Sequence, residues 1–434
     1  MSFGLPPSKI LKYFFFFIPI SLVIGQVAVS LVVFFLVIFF FFNIKDTRFI
    51  FINLKKYDFI LILFFFYILV SSIFFKDINI LNNAFLIFRF LVFYFAIKYI
   101  IVKFQLKDLK IFFKIILTLS IFIIFDLFFQ KYFGKDIFGY TAPVGNEMRL
   151  TGPFGNEPIP GSYLVNVGFY SLIYMNALTE KNTFAFYKIG FQLLIFAFGI
   201  AIFLTGERMS TILFFLLLFL FFIFFKKNRV KIFITTLFLL ISITFITLSN
   251  NYYKSRVILF AKGTGILQNK TGENQQLSKK LTFFDSQWGA HILTSYEMFT
   301  KNKLFGIGLR QFRHQCANLE YENINSKSLE IRCSSHTHNL YFEILSELGI
   351  IGFGLFIIFL YLIIFDFFKL MKNKRLIIDK FWRIFLIGSF CIFFMLFWPI
   401  RSTGSFFSNF NGTIYWFNIS IMAGLLLKLQ LKKY

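Results

Sequence analysis

The feature that most constrains this chain is a succession of apolar stretches, separated by short polar breaks, along most of its 434 residues. Twelve can be read, at about 11–25, 27–43, 58–75, 84–102, 110–129, 161–178, 186–204, 211–225, 231–249, 349–368, 383–399 and 413–430. A helix of roughly 17–25 residues crosses the hydrocarbon core of a bilayer. Backbone groups surrounded by lipid are satisfied only within helices or closed barrels. The expected fold class is therefore an all-α polytopic membrane protein of about twelve transmembrane helices.

Composition agrees, with 58% hydrophobic and only 15% charged residues and a mean hydropathy of +0.74. The 74 Phe read as a compositional bias, since any bulky apolar residue satisfies a lipid-facing position. A net charge of +25 would suggest nucleic acid in a soluble protein. Here the placement of the charge gives another reason. Lys9 and Lys12; Lys45, Arg48, Lys55 and Lys56; Lys98, Lys103, Lys107 and Lys110; Lys181 and Lys188; Lys226, Lys227, Arg229 and Lys231; Lys369, Lys372, Lys374 and Arg375; and Lys428, Lys432 and Lys433 all fall on one side of a twelve-span topology. The opposite short loops hold only Lys76, Arg208 and Arg401. The positive-inside rule makes the first side, with both termini, cytoplasmic. No nucleic-acid partner is implied. The run Tyr13–Ile24 behind Lys9 and Lys12 resembles a signal peptide, but without a small-x-small cleavage site it reads as a signal anchor and first helix.

Three regions follow: spans one to nine over 1–249, an outer loop domain over 250–348 between spans nine and ten, and the last spans over 349–434. A second outer segment, 130–160, is rich in Gly and Pro and reads as a loop. All four histidines, His291, His314, His336 and His338, lie in the outer loop domain with Cys316 and Cys333, whereas Cys391 lies in a span. Three states are open to the outer cysteines: a disulfide, a zinc site with His314 and His336, or free thiols. An oxidising compartment favours the disulfide, and the His-x-Cys spacing fits no common zinc module.

In SSHTHNLYFEILSELGIIG, His338, Tyr341, Phe342, Leu345, Leu348 and Gly349 recur at helical spacing, with Asn339, Glu343 and Glu347 on another face. Asn339 is a good N-cap. It would set His338 beside unpaired N–H groups at the positive end of a helix, which disfavours imidazolium and attracts anions. The ten residues 339–348 span only about 15 Å, so an interfacial helix bent at Gly349 and Gly352 into the next span is expected. His338 then reads either as a base beside a phosphate subsite or as part of a helix cap. Arg208 in LTGERMSTI and Arg149 in MRLTGPFGNE stand outside against the positive-inside trend. Guanidinium suits phosphate and keeps its charge, so a lipid diphosphate would explain them, as interfacial anchoring would also. Arg89, inside the fourth span, serves the same cavity or snorkels.

The run H-N-x9-G-x-x-G, here His338, Asn339, Gly349 and Gly352, resembles the signature of the bacterial O-antigen ligase/polymerase family of C-type glycosyltransferases. RLTGPFGNE, the TGERMS turn, KLFGIGLRQF and NFNGTIYW resemble further family elements in the same order, over roughly residues 145–425. The resemblance implies a periplasmic active site in the inner membrane. There a glycan would pass from undecaprenyl diphosphate to a lipid A core hydroxyl in a ligase, or to another lipid-linked glycan in a polymerase. It implies inversion; no cofactor is expected, and no metal is required, since no acidic cluster with octahedral oxygen-ligand character appears on the outer face. It gives His338 the catalytic role and Arg208 and Arg149 contacts to the donor diphosphate. Two departures stand out: the turn reads Glu-Arg-Met rather than Ser-Arg-Gly, and where relatives carry a loop arginine this chain has His291, leaving His291, Arg310 or Arg313 to act there. A transporter is the rival from another class, but the middles of the spans hold almost no charge.

Overall fold

The computed structural model describes residues 7–75, 77–142, 149–181, 184–263, 283–324, 329–372 and 379–431. Among them there is no strand, only an isolated bridge between Lys135 and Thr141. The chain is an all-α polytopic membrane protein. A helix runs through each of the twelve expected stretches. Seven helices are long and apolar enough to cross a membrane, or eight if a bent pair counts as one span.

The bent pair comes first in the chain after α1 (Pro7–Ile24): α2 (Gln26–Phe42) turns by 89° into α3 (Ile44–Ile52). Then follow α4 (Lys56–Phe74), α5 (Ile78–Lys103) and α6 (Leu106–Phe133). The loop expected from residue 130 begins only at Gly134, a left-handed helix stop with φ 76°. The sixth expected span is divided into a short α7 (Pro160–Tyr163), a π turn at Leu164–Gly168 and α8 (Tyr170–Lys181). Next come α9 (Ala185–Leu204), α10 (Arg208–Phe224), α11 (Arg229–Ser249) and α12 (Asn251–Gly263). The outer segment holds α13 (Gln287–Lys301) and a single turn, α14 (Phe312–Gln315). The chain ends with α15 (Leu340–Lys372), α16 (Lys380–Leu396) and α17 (Asn409–Leu431). At 17 residues each, α10 and α16 reach only about 25 Å.

Helix α17 is the most enclosed of the spans and packs along α5, while α11 is the least enclosed. Gly424 makes the α5–α17 contact close, since a Cβ there would press on Ile101 and the Lys98 carbonyl. This is the small-residue device by which helices approach in lipid. Lys98, read from sequence as one charge in a basic loop, is instead fully buried within α5. It is ion-paired with Asp58 of α4, whose other oxygen accepts from Tyr94 at 2.6 Å. That end of the molecule also carries the pairs Lys12–Asp108 and Lys380–Glu180.

Candidate functional site

The site lies at the opposite end, where α15 breaks. Gly349 adopts φ 64° and ψ −169°, outside helical values, and divides α15 into an outer piece, 340–348, and a long inner piece. The reason is a backbone-on-backbone contact with the turn after α13. The N–H groups of Ile307 and Gly308 donate to the carbonyls of Ser346 and Glu347 at 2.9 and 3.0 Å, and Ile350 N–H donates to Lys303 at 2.8 Å. A Cβ on Gly349 would collide with the Leu304 carbonyl, and one on Gly306, at φ 71°, with the Glu347 backbone. Only glycine fits either position. Gly352, expected to share the bend, is helical; its bare face receives the ring of Tyr67, whose hydroxyl donates to Leu348 O at 2.7 Å.

At the start of the outer piece, Asn339 Oδ1 accepts from the N–H groups of Tyr341 and Phe342, so Asn339 caps the helix. His338 precedes the cap with φ 57°, and Arg310 shares that left-handed conformation at φ 59°. Such backbones are uncommon in non-glycine residues and gather at functional sites. The His338 ring stacks against His291 at 5.2 Å and lies 4.1 Å from His336. Each ring is tied differently. His336 Nε2 donates to the Thr403 carbonyl at 3.0 Å, and its Nδ1 meets Ser335 Oγ at 2.9 Å, so both nitrogens are used. His291 Nε2 donates to the Ile331 carbonyl at 3.1 Å. His338 Nε2 meets Ser334 Oγ at 3.2 Å, and among the described residues its Nδ1 has no partner. Burial, then the neighbouring His336 and His291, hold the His338 imidazole down at about 3, so it is neutral at any physiological pH. Among the described residues no three His, Cys, Asp or Glu side chains converge to hold a metal ion.

The loop 397–408 between α16 and α17 clamps this cluster. Thr403 N–H donates to the His338 carbonyl at 2.9 Å, Asn339 Nδ2 to Pro399 O at 2.9 Å, and Tyr341 OH to Phe397 O at 2.5 Å. From beneath, Glu343 accepts from Ser405 Oγ and from Phe406 N–H, and Glu347 from the N–H groups of Arg310 and Phe312. The two glutamates thus fasten both flanking loops to the helix that carries His338. A disulfide joins Cys316 to Cys333, with Cα atoms 5.3 Å apart, and Arg332 beside it donates to the Cys316 carbonyl at 2.7 Å.

Two groups of arginines stand at this end. In the first, Arg149 and Arg256 both lie against the bare face of Gly206, which turns with φ 69°. Arg256 donates to Gly206 O at 3.2 Å and to Tyr252 OH at 2.9 Å, and Arg208 is within electrostatic reach of both arginines. Gln130 Oε1 accepts from the N–H groups of Thr151 and Gly152, which holds the stretch carrying Arg149. Glu207, the unexpected residue of the turn, accepts from the N–H groups of Gly161 and Ser162 at 2.7 and 2.9 Å. Burial pushes its carboxyl up to about 7, against the pull of those donors and of Arg149. In the second group, Arg310 donates to Asn83 Oδ1 and Arg89 to Asn409 Oδ1, with Arg313 in reach of Arg310 and of His336. Arg89 lies eleven residues into α5, about three turns. Arg401 connects the His cluster to the first group: it donates to Asn166 in the π turn at 3.1 Å, Asn166 donates to Ser162 O, and Ser162 N–H donates to Glu207.

Residues 193–357 match the family described as O-antigen ligase. The resemblance to the O-antigen ligase/polymerase family thus holds over that stretch, from α9 into the inner piece of α15. No curated protein matches the chain. The O-antigen ligase segment contains Arg208, Arg256, His291, Arg310, Arg313, both outer cysteines, His338, Asn339, Gly349 and Gly352, while Arg89, Arg149 and Arg401 lie outside it. The match supports a glycan-transferring enzyme of the ligase or polymerase type.

Of the residues singled out from sequence, Arg208 and Arg149 come together, and His291 and Arg313 go elsewhere. His291 packs on His338, and Arg313 joins Arg310 and Arg89. Arg256 and Arg401 were not singled out for the site. The argument applied to Arg208, that an arginine on the weakly basic side needs a reason, applied to Arg256 and Arg401 as well.

Proposed function

We propose that the protein is an O-antigen ligase of the bacterial inner membrane, with both termini cytoplasmic and the His338 end periplasmic, transferring a glycan from undecaprenyl diphosphate to a lipid A core hydroxyl. The observation that carries this reading is the environment of His338. Among the described residues, it alone of the three clustered imidazoles keeps an unpartnered ring nitrogen that is not buried, and Arg313 is in electrostatic reach of the adjacent His336.

With Nε2–H donating to Ser334 Oγ, which can act in either role, the Nδ1 lone pair is left for the acceptor hydroxyl. The acceptor oxygen attacks the anomeric carbon opposite the diphosphate. The glycosidic C–O bond breaks, its electron pair leaves with the diphosphate, and the hydroxyl proton passes to Nδ1, inverting the centre. Arg149, Arg208 and Arg256 receive the departing charge, which substitutes for a metal ion. Held down by burial and its two neighbouring imidazoles, His338 is too weakly basic to remove a proton early, and docking of an anionic donor raises its proton affinity toward the useful range.

A polymerase joining lipid-linked repeats is the second reading, and the same geometry serves it. Loss of the gene separates the two. A ligase mutant leaves full-length polymer on its lipid carrier with a bare core, whereas a polymerase mutant leaves a core bearing one repeat. Purified His338→Ala protein should insert and fold yet fail to transfer glycan, and wild-type rates from it would sink the catalytic assignment.

A further inference from the structure

We propose that Arg89, Arg310 and Arg313 form a second anion subsite, which binds phosphate groups carried by the glycan acceptor and is separate from the donor subsite at Arg149, Arg208 and Arg256. Naming the anion as the acceptor's rests on the glycan-transfer reading; the existence of the subsite does not.

Arg89 of α5 is gathered here with Arg310 and Arg313 of the turn after α13, at an energetic cost. Arg310 is in electrostatic reach of both Arg313 and Arg89, and burial followed by the Arg313 charge lowers its proton affinity. Its backbone is held left-handed, which an arginine does not favour. Glu343 and Glu347 are within electrostatic reach of Arg310 and Arg313 without pairing with them. Among the described residues none of the three is in an ion pair, and the two candidate carboxylates are occupied. Glu343 accepts from Ser405 and Phe406, and Glu347 from the backbone of Arg310 and Phe312. The Nε atoms of Arg89 and Arg313 are buried without a hydrogen-bond partner. Buried donors left unpaired are costly, and neighbouring guanidiniums outside any ion pair match an oxyanion.

Position gives the anion its source. Arg313 faces His336, the immediate neighbour of His338. The donor group reaches His338 along a different route, through Glu207, Asn166, Arg401 and loop 397–408. The base is thus linked to two cationic groups built on different elements. One leaving diphosphate accounts for one of them. The acceptor must supply the other anion, either as phosphates on a lipid A core or as the diphosphate of a second lipid-linked glycan.

The test uses full-length protein in nanodiscs, titrated calorimetrically with inorganic diphosphate. Wild type should show two sites. Arg208→Gln should remove one, and Arg313→Gln or Arg310→Gln should weaken the other about tenfold or more. A single site abolished by Arg208→Gln and untouched by Arg313→Gln would overturn the proposal. In a transfer assay, Arg313→Gln should raise the acceptor KM about tenfold and leave the donor KM in place. A rise in the donor KM alone would overturn the assignment to the acceptor. Dephosphorylated core as acceptor should mimic the variant if the core is the source, and a lipid-diphosphate repeat should be the responsive acceptor if it is not. Failure to transfer glycan to any acceptor, with two diphosphates still bound, would remove the transfer reading and leave the subsite standing.

Discussion

The two ends of the molecule treat buried charge in opposite ways. At one end Lys98 and Asp58 are both wholly enclosed and satisfy each other, with Tyr94 on the remaining oxygen. At the other, arginines collect in two groups of like charge and the carboxylates among them are turned to backbone amides. A charge buried with its partner is part of the scaffold, because the pair forms with the fold. Cations gathered beside one another, as Arg89, Arg310 and Arg313 are, suit an anion that arrives later. The difference separates what holds the protein together from what it does.

The sharpest way to break this comparison is to exchange the effects. His338→Ala should lower the transfer rate about 10²- to 10⁴-fold, the usual contribution of a positioned base, with no change in melting temperature. His338→Asn makes the cleaner control, since Asn tolerates the left-handed backbone that this residue adopts. Lys98→Met should do the reverse. It strands Asp58 in the interior and should cost about 3–5 kcal/mol of stability, while the rate per folded molecule stays unchanged. If Lys98→Met lowered the rate without lowering stability, the scaffold end would not be mere scaffold. Next in size, Arg208→Lys keeps the charge but loses the fork, and should raise the donor KM about tenfold; unchanged kinetics would take Arg208 out of the donor subsite. The smallest effect is in pH. With His338 held at about 3 by burial and its neighbouring imidazoles, acid should not silence the free enzyme through this residue until far below pH 6.5. A bound anion raises that value, so the acid limb of kcat should lie at higher pH than that of kcat/KM. Coincident limbs would show that the donor does not charge the base's surroundings.

Much of the membrane body was legible because hydropathy acts locally: a run such as Ile78–Lys103 declares itself by length and composition. The Asn339 cap was legible for the same reason, since a cap is set by nearest neighbours. What joins distant segments was not. No spacing relates Glu343 to Ser405, Glu207 to Gly161, or Arg401 to Asn166, because each bond is made across the bundle. Lys98 shows the same limit in reverse, as a lysine near a helix end looks like a surface charge until its partner forty residues earlier is placed against it. Gly306 and Gly349 were both conspicuous in the sequence, yet only the fold shows that each glycine makes room for the other's strand.

That glycine contact has a metrical consequence. With main chain resting on main chain and no side chain between to yield, the rise from the inner piece of α15 to His338 is a fixed length, like the column of a height gauge. For a donor anchored by its lipid, the sugar joined to the diphosphate always stands at the same elevation, however many units follow it. A gauge set to that elevation meets the first sugar alike in a short glycan and a long one, and so can be blind to the length of the polymer it moves.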